Sequence, residues 1–150
     1  MSLIVDGRQS DTAHAVGRGT RRYLRALGFA TLTELPLPDG RRADIVALGG
    51  DGTILIAEVK SSIADFRADA KWPGYRAHCD RLYFTILETV PIDIMPEDAG
   101  LFVADAYGAA LVREAPETRL APATRRALTL RFASVAAMRL HFLFDPEAAS

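Results

Sequence analysis

The runs Arg42-Ala43-Asp44-Ile45-Val46-Ala47-Leu48 and Thr53-Ile54-Leu55-Ile56-Ala57-Glu58-Val59-Lys60, separated by Gly49-Gly50-Asp51-Gly52, decide the fold of this chain. Both runs are short, rich in branched residues and bounded by turn formers, the pattern of neighbouring strands in a hairpin. Side chains alternate across a sheet, so Ile54, Ile56, Glu58 and Lys60 share one face, as do Asp44, Val46 and Leu48. Each apolar stripe therefore carries charge at one end. Asp44 comes opposite Glu58 when Val46 faces Ile56 and Leu48 faces Ile54, a register that requires an odd-numbered loop. A slip of one residue would send one set to the other side of the sheet. The glycines at 49, 50 and 52 make the positive φ of a three- or five-residue loop sterically accessible.

A carboxylate or ammonium at the end of a buried stripe is costly unless it is paired or ligates something. Two carboxylates brought together form a hard oxygen site of the kind Mg²⁺ takes, completed by waters and a substrate phosphate. A lysine beside them supplies positive charge for an attacking water or for charge developing on phosphorus. The chemistry this pattern suggests is phosphodiester hydrolysis. A salt-bridged Asp44, Glu58 and Lys60 cluster of purely structural purpose is the alternative that spacing alone leaves open.

Working outward, Ser10-Asp11-Thr12 offers an N-cap, and Ala13, Val16, Tyr23, Leu24 and Leu27 form a helical stripe stopped by Gly28, predicting a helix over 11–27. Residues 29–37 read as a strand, and Pro38-Asp39-Gly40 as its turn into 42–48. Ser61-Ser62 caps a helix expected to continue past Pro73-Gly74 to about Cys79, and a strand follows at 81–87. A hairpin over 101–113 turns near Tyr107-Gly108, and a last helix starts at Pro122 and reaches about Phe144. The fold class is α/β, a mixed sheet between helices in one domain over residues 1–150.

With 150 residues, 49% hydrophobic and 25% charged, the chain has enough apolar surface for a core without a disulfide or structural metal. Cys79 is the only cysteine. No apolar run is expected to reach the length of a membrane span, and the N-terminus lacks a signal-peptide pattern, so a cytoplasmic protein is expected. The net charge of −1 argues against a protein that coats DNA indiscriminately. The charge is unevenly placed, however. Acids are missing from 12–33, where Arg18, Arg21, Arg22 and Arg25 cluster, and again from 118–144, which carries Arg119, Arg125, Arg126, Arg131 and Arg139. The acids concentrate between, and both basic ends are expected where phosphates could be held. Arginine-rich composition accounts for the abundance of Arg but not for the missing acids.

Asp44, then Glu58-Val59-Lys60, in the order helix, three strands, helix, strand over about 11–87, resembles the PD-(D/E)-x-K nuclease superfamily. The longer runs are more particular. Arg42 to Leu48, Glu58-Val59-Lys60-Ser61-Ser62, Asp65 to Tyr75, Cys79-Asp80-Arg81-Leu82-Tyr83-Phe84, Gly100-Leu101 and Arg125-Arg126-Ala127-Leu128 resemble the MmcB-like DNA-repair family of endonucleases across nearly the whole chain. The resemblance implies a restriction-endonuclease-like αβββαβ core with a C-terminal hairpin and helix over about 100–144. It implies Asp44 and Glu58 as metal carboxylates, Lys60 as catalytic lysine, Mg²⁺ or Mn²⁺ as cofactor, and DNA and repair proteins as partners. Ala43 replaces the proline of the superfamily motif, harmlessly, since only the aspartate ligates. Many relatives also carry a metal-proximal glutamate on the first helix, and here that helix has no acid between Thr12 and Thr33. Glu34 is the nearest substitute as a third ligand, and an exposed strand residue is its other reading.

Arg18, Arg21, Arg22 and Lys71 are the candidates for gripping DNA phosphates. Trp72 and Tyr75 could stack on an unpaired base, but a role closing the core beside Pro73 is the expectation for Trp72. His14, His78 and His141 lack zinc-ligand spacing, Cys79 is expected to be a buried thiol, and the Gly49–Gly52 cluster is a turn rather than a phosphate loop. A nuclease fold that binds DNA for a repair complex without cutting is the competing function, and an interaction domain with a structural charged cluster is a third.

Overall fold

The computed structural model describes the backbone of residues 3–149 and the side chains of 11–147. Three helices and six strands follow one another as α1 (Leu3–Ala26), β1 (Ala30–Pro36), β2 (Arg42–Leu48), β3 (Ile54–Lys60), α2 (Ile63–Ala68), β4 (Arg81–Ile86), β5 (Gly100–Ala104), β6 (Ala109–Arg113) and α3 (Pro122–Phe144). The strands form one sheet in sequence order. β1, β2 and β3 run as an antiparallel meander, β4 and β5 join parallel to β3, and β6 closes the edge antiparallel. The αβββαβ order expected from sequence is present.

The central hairpin has the expected register: Val46 faces Ile56 and Leu48 faces Ile54, across a five-residue loop, 49–53. Gly52 at φ 90° accommodates the turn, which is closed by Gly49 N donating to Thr53 O at 2.8 Å. Alternation then sends the two sides of these strands into different cores. Ile45, Ala47, Leu55 and Ala57 pack with Leu24 of α1, whereas Val46, Ile54 and Ile56 pack with Leu128 and Phe132 of α3. A third cluster around Phe84, Ile86 and Leu101 takes in Phe66 of α2. Gly19 lets α1 lie against the β5–β6 turn, since a Cβ there would come within 1.8 Å of the Asp105 carbonyl oxygen.

Three expectations need correction. α1 begins at Leu3 rather than near residue 11, so Ser10-Asp11 lies within the helix instead of capping it. The helix after β3 starts as expected, with Ser62 Oγ accepting from Asp65 N at 3.0 Å, but ends at Ala68. Asp69 leaves helical geometry (φ −96°, ψ 88°), and a 3-10 segment, Trp72–His78, with Pro73 in its first turn replaces the long helix. α3 matches its expected limits, yet it is long and apolar enough to cross a membrane, with a mean hydropathy of 1.3 over its most apolar window. It is docked on the domain through Leu128, Phe132 and a paired Arg125.

Candidate active site

The β2–β3 ladder runs from Leu48–Ile54 to Ile45–Ala57, and beyond it side chains take over from the backbone. Asp44 N donates to Glu58 Oε2 at 2.8 Å, and Val59 N donates to Asp44 Oδ2 at 2.8 Å. Each carboxylate thus caps a main-chain N–H of the opposite strand, which fixes both groups side by side, and the Tyr75 hydroxyl lies against Glu58 as well. Pairing on the other side is interrupted at the same level. β1 and β2 pair at Thr33–Ile45 and Leu35–Ala43, and Glu34, between them, adopts φ 50°. That conformation is uncommon and costly for a side chain of this size, and such strain gathers at functional sites.

An open cleft of about 470 Å³ lies at this end of the sheet. Its walls are built from Glu34, Asp44, Glu58, Lys60, Asp65, Asp69 and Tyr75 on one side, and from Ala13, His14, Gly17 and Arg21 of α1 on the other. All the sequence-derived site residues Asp44, Glu58, Lys60 and Glu34 therefore line one cleft. Arg21 joins them. Arg18 instead donates Nε to the Ala106 carbonyl at 3.0 Å, while Arg22 and Lys71 are exposed and are not among the lining residues. Trp72 packs on the core, edge-on to Phe84 with ring centroids 5.1 Å apart, as expected. Cys79 is buried, and desolvation pushes its thiol up to about 12.

The electrostatics of the two carboxylates are unbalanced. Glu58 is only 3% exposed, and burial together with the adjacent Asp44 charge raises its pKa to about 8 against the pull of the Asp44 N–H and Lys60. Asp44 is raised as well, first by burial and further by the charges of Asp65 and Glu34. Lys60 is buried and forms an ion pair with Asp69, Nζ to Oδ2 at 2.8 Å. Its cation is thereby held by Asp69 rather than paired with Asp44 or Glu58. Asp65 accepts from Ser61 N at 3.1 Å, and the Tyr75 hydroxyl donates to the Arg42 carbonyl at 3.1 Å.

Arg21 adds a donor without an acceptor. Its Nε is buried and has no hydrogen-bond partner, and burial, followed by repulsion from Arg18, lowers its pKa. Among the described residues no group of three or more His, Cys, Asp or Glu is gathered to hold an ion by itself. The donor set fits a cation that takes two protein carboxylates and fills its remaining positions with water and phosphate, as Mg²⁺ does. Glu34 lines the cleft but does not complete a ready-made third ligand.

Sequence reasoning missed Asp69 as the partner of Lys60 and His14 as a wall residue, while Tyr75, a candidate for base stacking, does line the cleft. A signal existed for α1: His14, Arg18, Arg21 and Arg25 are spaced four, three and four apart, which sets them along one side of a helix. Two of the five arginines of the second basic segment are committed elsewhere. Arg125 is paired with Asp80, and Arg139 donates to the carbonyls of Thr33 and Glu34, so these arginines brace the fold instead of facing phosphates.

The fold and this cleft define an α/β domain with a buried two-carboxylate and lysine site. A family model described as DNA repair protein MmcB-like matches residues 2–147, and the chain belongs to that family, which associates it with DNA repair. A solved structure, described as SPO1766 protein of unknown function from Silicibacter pomeroyi, is similar at 47% identity with a TM-score of 0.87, covering 91% of this chain and 93% of that one. No curated protein matches.

Proposed function

We propose that the protein is a Mg²⁺-dependent deoxyribonuclease, with Mn²⁺ able to substitute, that hydrolyses phosphodiester bonds in damaged or structured DNA during repair. The observation that carries this reading is the pair of cross-bonded carboxylates, Asp44 and Glu58, held beside a buried Lys60 in an open cleft with raised proton affinity. A carboxylate placed where its charge is poorly neutralised by the protein is poised to take a cation.

Asp44 and Glu58 would hold the ion, which supplies Lewis-acid stabilisation of the phosphate and a more acidic bound water. Glu58 must release its proton to do so, since a metal ligand is deprotonated. Lys60, oriented by Asp69, presents a positive charge at the cleft wall for the attacking water or the charge growing on phosphorus. Arg21 offers its unpartnered Nε to a phosphate oxygen, and Arg18 and Arg22 extend positive charge along α1. Lys71, exposed next to the site-flanking 3-10 segment, is a further phosphate contact. In the reaction, water adds to phosphorus and one P–O ester bond breaks to leave a phosphate terminus and a hydroxyl.

The hydrogen bonds that the Asp44 and Glu58 carboxylates accept from main-chain N–H groups also suit a second reading, a DNA-binding module that keeps these residues to shape the cleft. One experiment separates the two. The full chain is incubated with Mg²⁺ and a panel of single-stranded, nicked, flapped and branched DNAs. Metal-dependent cleavage of at least one substrate is expected, and Asp44→Asn or Lys60→Ala abolishes it with an unchanged circular dichroism spectrum. Cleavage that persists in both variants overturns the assignment, and salt-dependent binding without any cleavage by the wild type selects the binding module.

A further inference from the structure

We infer that the outward face of α3 is a dimerisation surface that receives the same helix of a second copy in antiparallel orientation. The inference is independent of whether the cleft cuts DNA. α3 is docked on the domain through one side only, and of its 23 residues just Leu128 and Phe132 are fully buried. Turned to solvent are Leu130 (58% exposed), Leu140 (55%) and Phe144 (82%), with Met138 and Leu143 at their flank. An apolar face of this extent on an otherwise charged domain marks an interaction surface.

The spacing identifies what kind. Leu130, Ala133, Ala137, Leu140 and Phe144 follow one another at intervals of three, four, three and four, the a and d pattern of a helix that packs on another helix. Small residues at the centre, Ala133 and Ala137, permit a close approach of two backbones, with larger residues closing the ends. Antiparallel layering sets Leu130 against Leu140 of the second copy and Ala133 against its Ala137, and it brings Phe144 to the level of Arg126 at each end.

Charge fixes the direction. No acid lies between Thr118 and Phe144, and Arg126 stands in line with the apolar stripe at its N-terminal end, exposed. Asp145, exposed, follows the stripe at the other end. A parallel pair would place Arg126 against Arg126, whereas the antiparallel pair brings Arg126 of each copy to the Phe144–Asp145 end of the other, with Asp145 one position further along, and it does so twice by symmetry. A lipid surface fits less well. Two of the four arginines of α3, Arg125 and Arg139, are taken up by Asp80 and by the carbonyls of Thr33 and Glu34, which leaves fewer basic residues for the stripe than a membrane-lying helix carries, and an acid closes its end. The apolar contact covers about four turns, about 21 Å, less than a standard interface, so the dimer is expected to dissociate in the micromolar range.

Light scattering and sedimentation equilibrium on the full chain test this. The wild type is expected at twice the protomer mass of 16.3 kDa when concentrated. Leu130→Glu combined with Leu140→Glu gives a monomer at every concentration, with the circular dichroism spectrum and Tm retained because both residues are solvent-exposed. Arg126→Asp and Asp145→Arg each weaken the dimer about fivefold, and their combination restores it. A monomeric wild type at about 100 µM overturns the inference, as does a dimer indifferent to the Leu130/Leu140 exchange. Failure of the charge reversal to restore pairing overturns the antiparallel register. A monomer that floats with phosphatidylglycerol vesicles assigns the face to membranes instead.

Discussion

Two buried carboxylates at opposite ends of the sheet meet the same desolvation and answer it differently. Asp80, just before β4, accepts Nη1 and Nη2 of Arg125 at 2.6 and 2.7 Å, Ile54 N at 2.7 Å and Leu120 N at 2.9 Å. Desolvation pushes its pKa up, but the Arg125 hydrogen bonds and the two main-chain donors outweigh that and hold it at about 2. Glu58, towards the far end of β3, has the Asp44 N–H, the Lys60 charge and the Tyr75 hydroxyl in its favour, but burial and the Asp44 carboxylate outweigh them and it rises to about 8. The first carboxylate is neutralised by the protein and ties α3 to the sheet. The second is left with a charge that its neighbours satisfy only in part, which favours an added proton or cation. Burial alone does not mark a functional acid; what distinguishes it is the absence of a dedicated cation.

The contrast can be broken by substitution, and the largest effect falls on activity. Glu58→Gln keeps the shape of the side chain but removes its charge, and is expected to lower Mg²⁺-dependent cleavage about a thousandfold while leaving Tm unchanged or higher. A sharp fall in Tm would show that Glu58, like Asp80, is held for stability. Arg125→Met does the reverse. It strands Asp80 without its partner and is expected to destabilise the fold by about 3–5 kcal/mol in urea titrations, with the Asp80→Asn change added to it recovering part of the loss.

The two groups also predict opposite pH slopes. Glu58 binds its proton more tightly when folded than its ordinary value of 4.5, so in metal-free buffer this group favours folding at acid pH and loses that contribution as pH rises from about 4.5 through about 8. Asp80, lowered from 3.8, contributes above pH about 4 and loses its contribution as pH falls towards 2. Denaturation midpoints between pH 5 and 9 are therefore expected to decline in the wild type and to flatten in Glu58→Gln. An equal slope in both proteins would remove Glu58 as its source. The smallest effect concerns strain beside the site. Glu34→Gly relieves the positive φ and is expected to raise stability by about 0.5–1 kcal/mol, while weakening Mg²⁺ binding measured by calorimetry.

Much of this arrangement was legible beforehand because it is local. An odd loop rich in glycine sets the β2–β3 register, and the register sets Asp44 beside Glu58. Pro122 and the uninterrupted apolar pattern after it fix the limits of α3. What was not legible depends on partners distant in sequence. Asp80 and Arg125 are 45 positions apart. Arg139 reaches the carbonyl of Glu34 across 105 positions, so one arginine of a supposed phosphate-binding segment braces the cleft edge. Asp69 looked like a helical residue four after Asp65, but pairing with Lys60 accompanies its departure from the helix, and the long helix expected there is two short segments.

The sequence by itself determined that β2 and β3 pair as a hairpin, in which register, and that two carboxylates and a lysine share one end of it, because strand periodicity and loop parity are properties of consecutive residues. Only the tertiary structure decided which charges remain unanswered. Asp80 and Glu58 are both acids in strand-rich surroundings, and nothing in their neighbourhoods along the chain says that one meets a guanidinium and the other meets Asp44 in a cleft. Neutralisation of a buried charge is settled by what folding brings within a few ångströms, and that distance is set by packing rather than by sequence separation.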